Sequence, residues 1–475
     1  MFSSDNLEAD LDTKPQPSHT EDVQALSMED LEAEKRLVRR IDKRLLLPTA
    51  IIYLLCYLDR SNVGNARIMN STTNDTLMDT NGITNHDYTI AMMLFLVAYS
   101  IFEAPSNLAL KKFQPHRWLG FLVVAFGAFC TGIGFTHSYW ELAVLRFFLG
   151  AAEAGVFPGM IFYFTFWYKP QERAIRIAVF MCSATLSGAF GGAIAYGVGK
   201  LNGSHGFEGW RWLFIIEGLP SIVVGILVFF FLPSYPEQAG WLTEEEKELQ
   251  IRRLGAYRNA GEDKLNWKDA KETLTSIRLY MHYLTYMTVG TGVASLAYFA
   301  PTIVEGLGYS DLRAQLFTVP PYGIAYPITL LLAWLSDRTK SRGYIALCAS
   351  GAASIAFIIQ ACLPADAFTA RYIFLIVATA GVFGGLPSLN AWVGDNVRNV
   401  TASSLTIALN IAFSGPGQII GVWIYRPQDA PAYRLGHGVN AGMSFVSACL
   451  ALGLTLHYRR ANRKMKGTNE IPWVS

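Results

Sequence analysis

Charged residues are scarce in this chain. Asp, Glu, Lys and Arg make up 16 % of its 475 residues, where a soluble protein carries about a quarter. Six cysteines (Cys56, Cys130, Cys182, Cys348, Cys362 and Cys449) fall inside apolar runs without paired loop spacing, so they read as small packing residues rather than disulfides. The eight histidines have no ligand spacing, so no metal site is expected. A nucleophile elbow, a phosphate loop and an HExxH helix are all missing, so neither enzyme chemistry nor a cofactor is expected. The first forty residues are acidic, then basic, without the apolar stretch of a signal peptide. Net charge is only +2, and no nucleic-acid partner is expected.

What the chain has is apolar length. Hydrophobic residues make up 52 % and aromatics 13 % of it. A bilayer core about 30 Å thick needs roughly 20 mostly apolar residues per spanning helix. Such runs occur near 45–68, 88–111, 118–137, 140–167, 174–199 and 211–232, then near 279–304, 313–335, 343–363, 370–393, 402–425 and 438–457. The expected fold is an all-α membrane protein with twelve transmembrane helices in two six-helix bundles, 45–232 and 279–457. A tail (1–44), a central loop (233–278) and a second tail (458–475) complete it. Lys35, Arg36, Arg39, Arg40, Lys43 and Arg44 precede the first span, and Arg459, Arg460, Arg463, Lys464 and Lys466 follow the last. The positive-inside rule then places both termini in the cytoplasm. Sequons at Asn70, Asn74 and Asn202 fall in loops expected outside. Asn399-Val400-Thr401 falls inside and reads as chance. Two capping boxes, at Ser27–Asp30 and Thr243–Glu246, open charged helices. The first is expected to run along the membrane face to Arg44, the second to be a solvated linker to about Tyr257.

The two halves echo each other. Glu153-Ala154-Gly155-Val156-Phe157-Pro158-Gly159 in the fourth span resembles Thr379-Ala380-Gly381-Val382-Phe383-Gly384-Gly385 in the tenth. Gly188/Gly192 and Gly417/Gly421 repeat a GxxxG in the fifth and eleventh, which permits close helix approach. Parallel repeats of this kind build many transporters. The echo breaks where Thr379 stands for Glu153, so the ionisable chemistry is kept in the first half.

That chemistry is compact. Asp59 and Arg60 lie in the first span, Glu103 in the second, Arg146 and Glu153 in the fourth, and Glu217 in the sixth. Each is costly in hydrocarbon unless it meets a partner or a cavity. Asp59 and Arg60 project about 100° apart on a helix and cannot easily pair with each other, whereas Arg146 and Glu153 share a face. Facing the first span against the fourth puts Arg60 near Glu153, and Asp59 near Arg146 or water. An incoming carboxylate can take a bidentate arginine, and the acid released from that pairing takes up a proton. Asp59 and Glu153 are therefore the expected proton carriers, with Glu103 a further candidate near a gate. Arg60 and Arg146 are the expected substrate ligands. Asn390 and Asn410, amides buried mid-span, are the ligands expected from the second half, while Glu217 reads as structural.

Twelve spans, the six-plus-six repeat and Leu335-Ser336-Asp337-Arg338-Thr339-Lys340-Ser341-Arg342 resemble the major facilitator superfamily, whose D-R-x-x-x-R loop gates the cytoplasmic side. That resemblance implies gating roles for Asp337, Arg338 and Arg342. The matching loop, Lys111 to Arg117, has lost its acidic member. Leu58-Asp59-Arg60-Ser61-Asn62-Val63-Gly64-Asn65-Ala66 and Gly209-Trp210-Arg211-Trp212-Leu213-Phe214-Ile215-Ile216-Glu217-Gly218 resemble the fungal allantoate permease type of the anion:cation symporters. The resemblance implies proton-coupled uptake of a small organic anion across the plasma membrane by a monomer. It also implies proton coupling at Asp59 and Glu153 and carboxylate contact at Arg60. Vesicular relatives carry an arginine in the seventh span, and here that span has none. Efflux of a fungal metabolite by proton antiport is the alternative, as is an internal membrane.

Overall fold

Backbone amides in hydrocarbon can be satisfied only within a helix or a closed barrel, and here the apolar runs are helical. The computed structural model describes residues 28–258, 271, 274–309, 311–397, 406–407, 409–465 and 473–474. The first half holds α1 (Met28–Ile68), α2 (Leu77–Asn81), α3 (Asn85–Lys112), α4 (Pro115–Ile133), α5 (Tyr139–Glu153), α6 (Val156–Thr165), α7 (Pro170–Val198) and α8 (Gly209–Phe231). After α9 (Glu244–Arg258), the second half holds α10 (Ile277–Glu305), α11 (Asp311–Leu316), α12 (Val319–Thr339), α13 (Arg342–Cys362), α14 (Phe368–Asp395), α15 (Ser414–Trp423) and α16 (Arg434–Lys464). Among the described residues nine helices are long and apolar enough to cross a membrane. The first two expected spans are the 41-residue α1 and the 28-residue α3, which carry Asp59, Arg60 and Glu103. The start of the eleventh span, with the sequon at Asn399, lies outside the described residues, as do residues 1–27 of the first tail and 259–270 and 272–273 of the central loop.

The helix pairs repeat between the halves. In the first, α4 packs on α8, α1 on α7 and α3 on α5; in the second, α13 packs on α16, α10 on α15 and α12 on α14. These are the same three pairs under a six-helix shift. Across the halves α7 meets α12, α3 meets α15 and α1 meets α10. The glycine pairs lie in these contacts. A Cβ at Gly188 would stand 2.5 Å from the Tyr322 ring, and one at Gly192 would meet Thr318; Gly417 and Gly421 lie against the backbone of α10 at Met287 and Thr291. The halves also meet at the end of the bundle away from the termini. Gln315 Nε2 donates to Asn65 O at 2.9 Å, and Gly64 lies against Tyr298 O.

The echoed segment diverges structurally at one residue. Pro158 has no N–H to give Ala154 O, and the fourth span breaks into α5 and α6 at Ala154-Gly155. Its counterpart Gly384 keeps an N–H, and α14 runs unbroken through the site.

Two features at the terminus-bearing end differ from expectation. The charged segment before the first span continues it as one helix, because Leu37, Ile41 and Leu45, four apart, bury a single face. The linker helix α9 is docked rather than solvated. Its capping box is formed, Thr243 N to Glu246 Oε2 at 3.0 Å and Glu246 N to Thr243 Oγ1 at 3.2 Å. Arg40 pairs with Glu246 at 2.8 Å, buried Gln250 donates to Trp167 O at 2.9 Å, and Arg253 bonds Glu172. Lys169–Glu34 and Arg176–Asp42 complete a layer of ion pairs on this face.

The last described residues fold back on the second half. Val474 N donates to Asn396 Oδ1 at 2.9 Å, Asn396 Nδ2 donates back to Val474 O at 3.0 Å, and Trp392 Nε1 reaches the same carbonyl at 2.8 Å. Arg278 lies 4.1 Å from the Trp473 ring centroid. Asn396→Ala removes the reciprocal pair, two hydrogen bonds worth about 1 kcal/mol each. Hydrogen exchange at the Val474 amide is expected to accelerate by about tenfold or more; unchanged exchange would show that Trp473 alone holds the segment.

Candidate functional site

A cavity opens between the halves at the level of Arg60. Tyr53, Tyr57, Arg60, Tyr99, Phe157, Met181 and Ala184 line it from the first half, and Tyr286, Gly290, Val293, Leu386, Ile411, Ser414 and Gln418 from the second. Its position follows from the local structure. α1 carries Tyr53, Tyr57 and Arg60 at spacings of four and three, one face of a helix. The break at Ala154-Gly155 leaves Glu153 as the last residue of α5, beside that face.

Arg60 and Glu153 meet, Nε to Oε2, at 3.2 Å. Both are almost fully buried, with side-chain exposures of 8 % and 1 %. The guanidinium lies 4.8 Å from the centroids of Tyr57 and Tyr99 and 5.2 Å from that of Phe95. Such contacts favour a desolvated cation by about 2 kcal/mol. Among the described residues Glu153 is the one carboxylate paired with Arg60, and it takes only Nε, which leaves the two Nη groups for a second acceptor.

Asp59 is 2 % exposed, and among the described residues its carboxylate meets no donor stronger than the Cys130 thiol. The cations acting on it are Arg146 and Arg60. Arg146 is fully buried, with Phe95 and Phe214 ring centroids 6.0 and 5.9 Å from its Cζ. It stands behind the cavity wall rather than in it. Glu103, 5 % exposed, is likewise behind the wall, near Tyr99 and Tyr286.

Asn390 and Asn410 reach the cavity through an intermediary. Asn410 Nδ2 donates to Asn390 Oδ1 at 3.1 Å, and Asn390 Nδ2 donates to the Tyr286 hydroxyl at 2.8 Å. Tyr286, in turn, lines the cavity. On the other flank Glu217 joins the cluster, accepting from Asn62 Nδ2 at 2.5 Å and lying in the field of Asp59. Sequence reasoning passed over Asn62 and the cavity tyrosines Tyr53, Tyr57, Tyr99 and Tyr286. The only available signal was that Asn62 follows Asp59 by three, close to the same face of α1.

At the terminus-bearing end Arg342 Nη1 pairs with Asp337 at 2.9 Å and its Nε bonds Asp395 at the end of α14. Arg338 instead lies over Trp334, 5.1 Å from the ring centroid. The motif thus ties α12, α13 and α14 within one half. Of the sequon asparagines, Asn74 is exposed. Asn70 is buried with Nδ2 on Gly199 O, and Asn202 Nδ2 holds Asp75 at 2.7 Å. A glycan at either of these would first displace those bonds.

The family model described as Major Facilitator Superfamily matches residues 49–422. The chain is 50 % identical over 436 residues to the MFS transporter prlL of Fungal sp. (strain NRRL 50135), an alignment covering 91 % of this chain and 88 % of that one. It is 34 % identical over 433 residues to a putative tartrate transporter of Agrobacterium vitis, covering 89 % and 92 %. A bacterial homolog of the human lysosomal transporter Spinster has the same fold, with a TM-score of 0.68 at 15 % identity over 88 % of this chain and 98 % of that one.

Proposed function

This chain belongs to the Major Facilitator Superfamily, a multi-pass membrane transporter family, and from that premise we propose that it carries a small organic anion together with protons by alternating access. The observation that carries the proposal is the Arg60–Glu153 pair beside the central cavity. A substrate carboxylate takes the guanidinium by its free fork, a bidentate match that lysine could not supply. Glu153 is then a carboxylate without its cation in an apolar interior, a state so costly that it takes a proton instead. Substrate and proton therefore load together. The arriving proton cancels the charge of Glu153 as the anion brings its own to Arg60, and the loaded cluster stays neutral.

Asp59, between Arg60 and Arg146, is the second acid of the exchange, and Glu103 serves the gate side. Asn410 and Asn390 position Tyr286 rather than touch substrate, and Arg146 balances Asp59. Closure of the Asp337–Arg342–Asp395 cluster against the first half forms the terminal gate. An antiporter would need substrate and proton to compete for one group. Here an anion and a proton assist each other, which favours symport over proton-driven efflux. The name of the Agrobacterium vitis relative, with tartrate as its cargo, adds support for an organic anion.

The test is uptake of labelled small carboxylates into yeast expressing the chain, at acidic and neutral outside pH, with and without protonophore. Uptake of at least one acid should rise on acidification and collapse with protonophore. Surface-expressed protein that takes up none of them would overturn the reading.

A further inference from the structure

We infer that the central cavity selects a flat monocarboxylate bearing a hydrogen-bonding group remote from its carboxylate, and rejects small dicarboxylates. The inference rests on the organic-anion reading above and narrows it.

The first ground is charge. Among the described residues lining the cavity, Arg60 alone is charged. Arg146, the nearest other cation, is fully buried between Phe95 and Phe214. One carboxylate can take the Arg60 fork. A second would face phenols and aliphatic side chains without a counter-ion, and an unpaired buried charge is strongly disfavoured.

The second ground is shape. Around the cation the first half presents ring faces. Tyr57 and Tyr99 flank Arg60, and Tyr53 stacks on Phe180 at 4.2 Å and leans on Phe157 at 5.5 Å. Across the gap the second half presents Val293, Leu386 and Ile411. A planar apolar body between these walls would meet rings on one side and aliphatic groups on the other, and rings gain from offset stacking beyond their buried area.

The third ground is the polar set on the far half. Asn390 donates to the Tyr286 hydroxyl, which directs the phenolic proton to another acceptor. Gln418 Nε2 donates to Ser414 Oγ at 2.9 Å, which likewise leaves the Ser414 proton to give. A hydroxyl or carbonyl on the substrate end opposite the carboxylate can meet these groups. A site built to hydrogen-bond such a group discriminates against ligands that lack it.

The experiment measures thermal unfolding of the purified full chain in lipid nanodiscs at neutral pH, titrated with 4-hydroxybenzoate, benzoate, cyclohexanecarboxylate, tartrate and succinate. The two aromatic acids should stabilise at concentrations about tenfold or more below those needed for tartrate or succinate, with cyclohexanecarboxylate between. Tyr286→Phe should erase the preference for 4-hydroxybenzoate over benzoate, about tenfold for one hydrogen bond, while benzoate still binds and so reports an intact site. Tartrate or succinate binding as well as the aromatic acids would overturn the selectivity and leave the anion reading standing. Stabilisation by no carboxylate at all would overturn both.

Discussion

Arg60→Ala is expected to cut carboxylate transport about a hundredfold, and to lower the amount of folded protein unless Glu153 is neutralised with it. Two separate energies are involved. The substrate loses a charge-assisted bidentate partner, worth about 1.5–3 kcal/mol, which corresponds to roughly ten- to a hundredfold in affinity. The protein loses the cation opposite a carboxylate that is 1 % exposed, and breaking a buried pair from one side costs about 3–5 kcal/mol. The double variant Arg60→Ala/Glu153→Gln removes the second cost but not the first. Surface abundance should therefore recover in the double variant while uptake per surface copy stays low. Arg60→Lys keeps the charge but not the planar fork held between Tyr57, Tyr99 and Phe95, and should fall between the two. Near-normal uptake by the double variant would reduce Arg60 to a structural lock.

How far the site could be read from the sequence depends on the kind of signal each residue leaves. Charge in an apolar run is conspicuous, and counting the ionisable residues was enough to set Arg60 against Glu153, the contact the helices make. The six-plus-six repeat was legible for a similar reason, because twelve long apolar runs leave few ways to pack. Which charge faces the cavity was not legible. Arg60 and Arg146 look alike as letters, and only the rings of Phe95 and Phe214 close Arg146 off. Tyrosine is common in membrane helices, so its placement around Arg60 had no distinctive spacing. Glu217 read as structural from its segment alone, and the structure gives it an amide partner, Asn62, three residues past Asp59, that no charge pattern marked. The docking of α9 escaped for a different reason. Its sequence is mostly charged, and the face carrying Gln250 and Arg253 is buried chiefly through polar contacts, with Leu254 too little to make an apolar stripe.

Glu153→Gln is expected to separate carriage from accumulation. Glutamine keeps the shape of the side chain and can still accept from Arg60 Nε through its amide oxygen, so the helices should pack as before. It cannot hold a proton, and it no longer opposes an incoming carboxylate with a negative charge of its own. Substrate should therefore bind the variant at least as tightly as the parent. Exchange of labelled for unlabelled substrate across sealed vesicles should continue within a few-fold of the parent rate, because exchange needs only the loaded carrier to change its facing. Uphill uptake driven by an inward proton gradient should fall by tenfold or more, and the dependence of exchange on outside pH should flatten. Under the proposed coupling, acidification helps the parent because a proton on Glu153 releases Arg60 to the anion; in the variant Arg60 is released at every pH. Persistent gradient-driven accumulation in Glu153→Gln would move the proton to Asp59, which among the described residues meets no donor stronger than the Cys130 thiol and lies in the field of the same arginines. Asp59→Asn would then show the loss of accumulation that Glu153→Gln did not. Loss of exchange together with accumulation would instead mean that the Arg60–Glu153 pair holds the helices together and that the proton is carried elsewhere.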